Sequence, residues 1–305
     1  MKIKFNPGPV LCWAAGLLTI GVCIAIVVYI FAKGFRMLTP GFLFTDPQPS
    51  LQEALSGGIL TPIAGSLLLT TIGIIIALPL ALGTAIYLAE YAAASGPVQS
   101  LRLGIDVLAG VPTIVFAIFG IAVFSAPWFT FLSTSVEEVA VERAFGRSFL
   151  VAGIVMAIMI LPYVIKTMEE AIKAVPRSFR EAAYSLGATR WSTIRRVVLP
   201  AARNGLITGT ILGIGRIIGD TAIVWLCLGG SMRMTGGSDW WLPGNWGTTL
   251  RNSGSTLTSY IFYSSPAGEG NSPNKAFGAA VVLIIIILLL NFLIDYLSRR
   301  GEVKE

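Results

Sequence analysis

What most limits the folding of this chain is where charge is missing. Five stretches of 18 residues or more carry no ionisable acid or base, at 10–32, 66–89, 107–126, 148–165 and 276–294, and a sixth, 204–229, is interrupted only by Arg216 and Asp220. A hydrocarbon core about 30 Å thick is crossed by about 20 helical residues, and the span must be helical because lipid offers no partner to an open peptide group. Six transmembrane helices are therefore expected. Pro79, Pro112 and Pro162 fall inside these runs and are expected as tolerated kinks, since neighbouring helices re-satisfy the freed carbonyls.

Composition points the same way. Hydrophobic residues make up 54% of the chain and charged residues 12%, about half the ~25% charge usual in soluble domains. Histidine is absent, which removes the commonest metal ligand and general base and excludes a zinc hydrolase or a Ser-His-Asp triad. Cys12, Cys23 and Cys227 lie far apart in apolar runs without C-x-x-C spacing, so they are expected as small buried hydrophobes and not as a redox pair. Lys2 and Lys4 precede the first run as in a signal peptide. That run is longer than the roughly 7–15 residues of a signal core and no A-x-A site follows it, so it is expected to remain as the first span.

Basic residues set the expected orientation. The N-terminus, 90–106, 166–203 and the C-terminal tail hold fourteen Lys and Arg, while the alternate segments hold seven. By the positive-inside rule both ends face the cytoplasm of a multi-pass cell-membrane protein, and the net charge of +6 belongs to its loops, not to nucleic-acid binding. The outer segments are then 33–65, 127–147 with Glu137, Glu138 and Glu142, and the long 230–275 stretch. No internal repeat or linker divides the chain. The expected fold is all-α, with residues 1–65 as the first helix and outer segment, 66–298 as the helical core carrying the 166–203 loop, and 299–305 as the tail.

The 166–203 loop holds eight basic residues against three acidic ones and has the pattern of a helical hairpin. Pro176 suits a helix start, Gly187 supplies the positive φ of a helix end, Thr189 can cap a second short helix and Pro200 can stop it. Phe179, Ala182, Ala183 and Leu186 recur at i, i+3, i+4 and i+7, giving an apolar stripe with small residues at its centre on which another surface can close. Arg190, Arg195 and Arg196 also suit anionic lipid headgroups. Lipid binding, however, requires neither the Gly187 turn nor the closing Leu199-Pro200.

Glu181-Ala182-Ala183, Gly187, and Val197 with Leu199-Pro200 resemble the E-A-A…G…I-x-L-P loop of ABC-importer permeases, with Val for Ile as the one departure. The resemblance implies a coupling helix that docks on an ATPase subunit. The chain has no G-x-x-x-x-G-K-[ST] loop of its own, so ATP and Mg would be held by that separate ATPase, with no cofactor and no catalysis in this chain.

Ionisable residues inside a span cost a few kcal/mol or more and mark function by default. With about 100° per residue and Gly213 as zero, Gly205 falls near −80°, Gly209 near −40°, Arg216 near −60° and Asp220 near −20°. The charges are expected to share a face with a Gly-x-x-x-Gly-x-x-x-Gly packing surface for another helix. One reading is an i,i+4 ion pair that holds two helices together. The other is an anion path, in which the Arg216 fork takes two oxygens of a tetrahedral oxyanion and the Asp220 carboxylate accepts from a protonated one. Hydrogen phosphate carries that proton and sulfate at neutral pH does not, so the carboxylate would repel sulfate.

Gly215-Arg216-Ile217-Ile218-Gly219-Asp220-Thr221-Ala222 resembles the G-R-A-I-G-E-T-A signature of phosphate-importer permeases. Val111-Pro112-Thr113-Ile114-Val115-Phe116-Ala117-Ile118-Phe119-Gly120 is similar to their V-P-S-I-V-F-G stretch, and Leu257-Thr258-Ser259-Tyr260-Ile261 with Phe277-Gly278-Ala279-Ala280 agree with the A-type subunit more than with its C-type partner. The resemblance implies a six-span permease of the type I fold, with Arg216, Asp220 and Thr221 on the substrate path. The partners it implies are a related second permease subunit, two ATPase copies, an extracytoplasmic phosphate-binding protein and membrane lipid. Asp220 for Glu and Ile217 for Ala are the departures. A permease for sulfate, molybdate or phosphonate is the rival within the class; a secondary phosphate carrier would ordinarily show internal repeats with paired broken helices, and none is present.

Overall fold

The computed structural model describes residues 7–48, 57–92, 95–133, 135–136, 143–144, 146–229, 242–266, 268 and 272–299. Glu137, Glu138 and Glu142 lie outside the described residues, as do 230–241, 267 and 269–271 of the 230–275 segment.

The described chain is helical almost throughout. α1 (Pro7–Gly34) is followed by the short α2 (Pro40–Phe44), whose first turn is capped by the Thr39 hydroxyl accepting from Phe42 N–H at 3.3 Å. α3 (Leu60–Ile86) closes in a wide turn, Tyr87–Tyr91. α4 (Gly96–Ala109) and α5 (Thr113–Phe124) come next, then a two-residue antiparallel pair, β1 (Ser135–Val136) with β2 (Arg143–Ala144). α6 (Phe149–Ala174) starts on Ser148, whose hydroxyl accepts from Val151 N–H at 3.1 Å. Beyond it lie α7 (Arg177–Ser185), α8 (Arg190–Thr193), α9 (Leu199–Ala201) and α10 (Arg203–Gly219), and the chain closes with α11 (Trp246–Arg251), α12 (Leu257–Ser264) and α13 (Pro273–Arg299).

α6 is the centre of the bundle. Its most apolar 18-residue window is 67% buried within the chain, whereas that of α1 is 0% buried. α3 and α10 pack on α6, and α1 packs on α13 through Tyr29 and Phe277, whose rings meet edge to face at 5.7 Å. The core fills with Phe149, Met156, Met159, Ile160, Met168 and Ile172 from α6, Leu69 from α3 and Ile217 from α10. A second cluster of Phe42, Ile59, Leu257, Tyr260, Ala279 and Val282 ties α2 and α12 to α13 at one end.

Without a hydrophobic force between helices in lipid, close approach comes from small residues. A Cβ at Gly205 would collide with the Ala171 methyl, one at Gly209 would lie 3.2 Å from Met168 Cγ, and one at Gly213 3.0 Å from Val164 Cγ2. These three glycines are the seam between α10 and α6.

Among the described residues, four helices are long and apolar enough to cross a membrane alone, and the number rises to six if each of two bent pairs counts as one span. The structure thereby corrects three expectations. The 107–126 run is not one kinked helix: α4 and α5 meet at 102°, because Pro112 lacks a donor and holds Val111 away from helical geometry beside Gly110. The 204–229 run is not one helix either, since α10 ends at Gly219. Cys12 and Cys23 face outward on α1, and only Cys227 is buried; apolar residues of a lipid-facing helix need no protein cover.

The α10–α6 seam gives a direct test. Gly205→Leu should lower the thermal midpoint of the purified protein in detergent by several degrees, while Gly215→Ala, where a Cβ meets nothing within 4 Å, should leave it unchanged or raise it slightly.

Candidate functional site

The sequence-selected residues fall into two places, one in mid-span and one on the hairpin. In mid-span, α10 carries Arg216 to within one turn of its end. The Arg216 side chain is exposed, its guanidinium sits 5.5 Å from the centre of the Tyr163 ring of α6, and none of the ion pairs found among the described residues involves it. A cation over an aromatic face is held by the ring quadrupole without losing its donors. The fork of Arg216 is therefore positioned and still open. Tyr163 itself is anchored, its hydroxyl donating to the Ala109 carbonyl at 2.8 Å, at the bend between α4 and α5.

Asp220 does something a helical wheel cannot show. Its backbone is extended, with φ −80° and ψ 135°, so the arc computed for Gly205, Gly209, Gly213 and Arg216 stops one residue before it. The carboxylate turns forward and accepts the Ile223 N–H at 2.8 Å, and the Asp220 carbonyl accepts the Thr258 hydroxyl at 3.1 Å. Asp220 is thus the N-cap of a second half-helix, which continues through the wide turn Val224–Leu228 and ends at Gly229 with φ +105°. It is buried, with Arg216 and Thr113 of α5 as electrostatic neighbours. Thr221 is half-buried, and its carbonyl accepts the Trp225 N–H at 2.9 Å. Beside the break lies a small cavity whose polar lining is hydroxyl: Ser66 and Thr70 of α3, Thr256 and Thr258 of the α12 start.

The hairpin is built by local rules. α7 ends in a pair of reversed bonds, Ala188 N–H to the Ala183 carbonyl at 3.1 Å and Gly187 N–H to the Tyr184 carbonyl at 2.9 Å, with Gly187 at φ +77°. The Thr189 hydroxyl then accepts the Ser192 N–H at 3.4 Å to start α8. Pro200 does not stop this arm as expected. The wide turn Ile194–Val198 lets Leu199 N–H reach the Ile194 carbonyl five residues back, Pro200 enters the first turn of α9, where its missing donor costs little, and the run bends by 70° only at Ala202. Leu199 is half-buried and Pro200 exposed.

Glu181 and Ala182 are exposed on α7 and Ala183 is buried under it. Phe179, Ala182, Leu186 and Val197 line a shallow apolar groove between the arms, and Leu186 is 89% exposed. A leucine that open, on an arm outside the apolar spans, is uncovered hydrophobic surface of the kind that marks an interaction site.

Several residues of these two places carry no sequence signal. Tyr163 is an unremarkable aromatic in an apolar run. Glu90, in the wide turn after α3, and Arg180 of α7 form a part-buried ion pair at 2.6 Å, and only the isolation of Glu90 at the end of a charge-free span hints at a role.

Residues 81–302 match the family model described as "Binding-protein-dependent transport system inner membrane component". The chain is similar to the phosphate transport system permease protein PstA of Mycobacterium leprae, at 31% identity across 95% of this chain and 87% of the relative. It is also similar to the permease protein PstC of Mesorhizobium japonicum, at 28% identity across 94% and 86%. In fold it resembles the bacterial alginate ABC transporter solved with a pentasaccharide-bound periplasmic protein, with a TM-score of 0.62 and 16% identity over 98% of both chains. The fold is that of an ABC-importer permease, and the chain belongs to the family of binding-protein-dependent transport system inner membrane components.

Proposed function

We propose that this chain is a permease subunit of an ATP-driven importer and that it passes inorganic phosphate from an extracytoplasmic binding protein into the cytoplasm. One observation carries the substrate: Arg216 stands in the apolar body of α10, over the Tyr163 ring, with no carboxylate in ion-pair reach among the described residues. An apolar span does not hold a free planar fork at ordinary cost unless an anion uses it. The names of the PstA and PstC relatives support the same substrate.

In this reading the hairpin, both chain ends and the tail face the cytoplasm of the cell membrane, and α11 faces outward. Glu181, Ala182, Ala183, Gly187, Leu199 and Pro200 form the contact for an ATPase that holds ATP and Mg. The complex contains a related second permease subunit and two ATPase copies. The open fork of Arg216 is completed by phosphate oxygens. Asp220 holds the half-helix start in place, and its negative charge opposes an anion that brings no proton.

Two outcomes are expected. Arg216→Lys keeps the charge and loses the planar fork, so phosphate uptake should fall about 10- to 100-fold, the equivalent of one or two charge-assisted hydrogen bonds, with normal amounts of complex in the membrane. Asp220→Asn keeps an oxygen for the Ile223 N–H, so the protein should assemble while sulfate becomes a better competitor of phosphate uptake. Wild-type uptake in Arg216→Lys would sink the proposed path.

Gly187 tests the coupling contact. A Cβ there meets nothing within 4 Å, so the only penalty of substitution is the positive φ, about 1–2 kcal/mol for a β-branched residue and less for Asn. Gly187→Val should reduce co-purification of the ATPase and uptake together, and Gly187→Asn should restore both.

Orientation is read by labelling with a membrane-impermeant maleimide. Thr248→Cys on α11 should react in intact cells and Ser185→Cys on α7 only in inverted vesicles; the opposite pattern would overturn both the topology and the coupling contact.

A further inference from the structure

Three arginines from three separate elements meet on one helical turn. The wide turn Tyr87–Tyr91 that ends α3 receives Arg102 of α4 on the Leu88 carbonyl at 3.0 Å and Arg190 of α8 on the Glu90 carbonyl. It also receives Arg180 of α7 on the Glu90 carboxylate, through Nε at 3.0 Å and Nη2 at 2.6 Å. The Arg190 guanidinium lies 4.5 Å from the centre of the Tyr91 ring. A helix C-terminus leaves its last carbonyls open and bears the negative end of the helix dipole, so cations near it are ordinary.

The Glu90–Arg180 pair goes beyond that. Its side chains are only 7% and 16% exposed. Helix capping calls for no carboxylate, and attraction to lipid headgroups calls for exposed arginines. The other donors of Arg180 take the Val175 carbonyl at 2.7 Å and the Ile172 carbonyl at 2.9 Å, on the last turn of α6. One guanidinium therefore ties α7 to the ends of α3 and α6, the two helices with the largest mutual contact. Another inter-helix pair, Lys166 of α6 with Asp106 of α4 at 2.5 Å, is exposed at 45% and 56%.

The geometry points to Glu90 and Arg180 as the positioning pair that carries a displacement of the hairpin into α3 and α6, and through their packing into α10. The inference rests on the proposed role of the hairpin as the ATPase contact. A fork with its donors distributed over a carboxylate and two helix-end carbonyls resists both sliding and rotation of α7, which a single point charge would not. Without the pair, α7 can move under the ATPase while α3 and α6 stay.

The test uses the full complex in proteoliposomes, with ATPase and loaded binding protein, and reads phosphate moved per ATP hydrolysed. In Glu90→Gln, which keeps the shape and removes the charge, the ATPase should co-purify in wild-type amounts and hydrolysis should continue. The transport ratio should fall at least about fivefold. Glu90→Asp should give an intermediate ratio, and Lys166→Gln the wild-type one. An unchanged ratio in Glu90→Gln overturns the inference. Loss of assembled complex in both Glu90 variants also overturns it, since the pair is then a structural contact only. If Glu90→Gln alone fails to assemble, Glu90→Asp decides, and a wild-type ratio there overturns it. Failure of the transport reading is distinguishable: in that case the wild-type complex itself moves no phosphate.

Discussion

Peptide groups in hydrocarbon have no water to turn to, and the break at Asp220 shows how this chain meets that demand. Where α10 stops, the carboxylate of Asp220 takes the Ile223 N–H, its carbonyl takes the Thr258 hydroxyl, and its own N–H reaches the Ile217 carbonyl at 3.3 Å. The same requirement shapes α12. Thr256 and Ser259 cap each other's backbone, and Leu257 N–H donates to the Ser66 hydroxyl at 2.8 Å, which fixes α12 to α3. An interrupted span is tolerated here because serine, threonine and aspartate side chains replace the missing helical partners one by one.

The interruption has a functional consequence that follows from packing. Glycines at 205, 209 and 213 bring α10 against α6, and that register sets Arg216 over Tyr163. Tyr163 in turn is bonded to the bend between α4 and α5. A cation and a sharp bend are thus linked through a single side chain of the most buried helix. At the other end, arginines serve a different purpose: Arg102 and Arg190 satisfy carbonyls at the end of α3, while Arg180 takes the Glu90 carboxylate and the carbonyls at the end of α6. The same side chain works as an open fork in mid-span and as a clamp at the helix ends, and only the neighbours differ.

Much of this was legible from composition. Charge-free runs of about 20 residues locate spans because their apolar side chains cannot be solvated any other way. Gly187 and Thr189 predict the hairpin turn because each acts on backbone within five residues of itself. Extrapolation failed wherever regular geometry was assumed across an interruption. The wheel continued 100° steps past Gly219, where the chain is already extended, so Asp220 keeps Arg216 as an electrostatic neighbour but acts as a cap and not as the next residue on the helix face. Pro200 was expected to end a helix that a wide turn instead carried past it, and 107–126 was expected to be kinked where it folds back through 102°. Arg190, which also suited lipid headgroups, lies over Tyr91. Hydropathy registers none of these breaks, since Gly110, Pro112 and Gly219 scarcely disturb an apolar average.

The sequence by itself determined that the chain is a helical membrane protein, where four of its spans fall, that its basic hairpin turns at Gly187, and that Arg216 and Asp220 are the charges to be explained. These follow from solvation and from local backbone preferences, which act over one segment at a time. The tertiary structure decided that Arg216 stacks on Tyr163 and not on Asp220, that Asp220 is a cap, and that Glu90 meets Arg180 across ninety residues of sequence. Those pairings depend on which helix lies against α6 and at what register, and that is settled by the simultaneous fit of glycine seams and buried side chains from segments far apart in the chain.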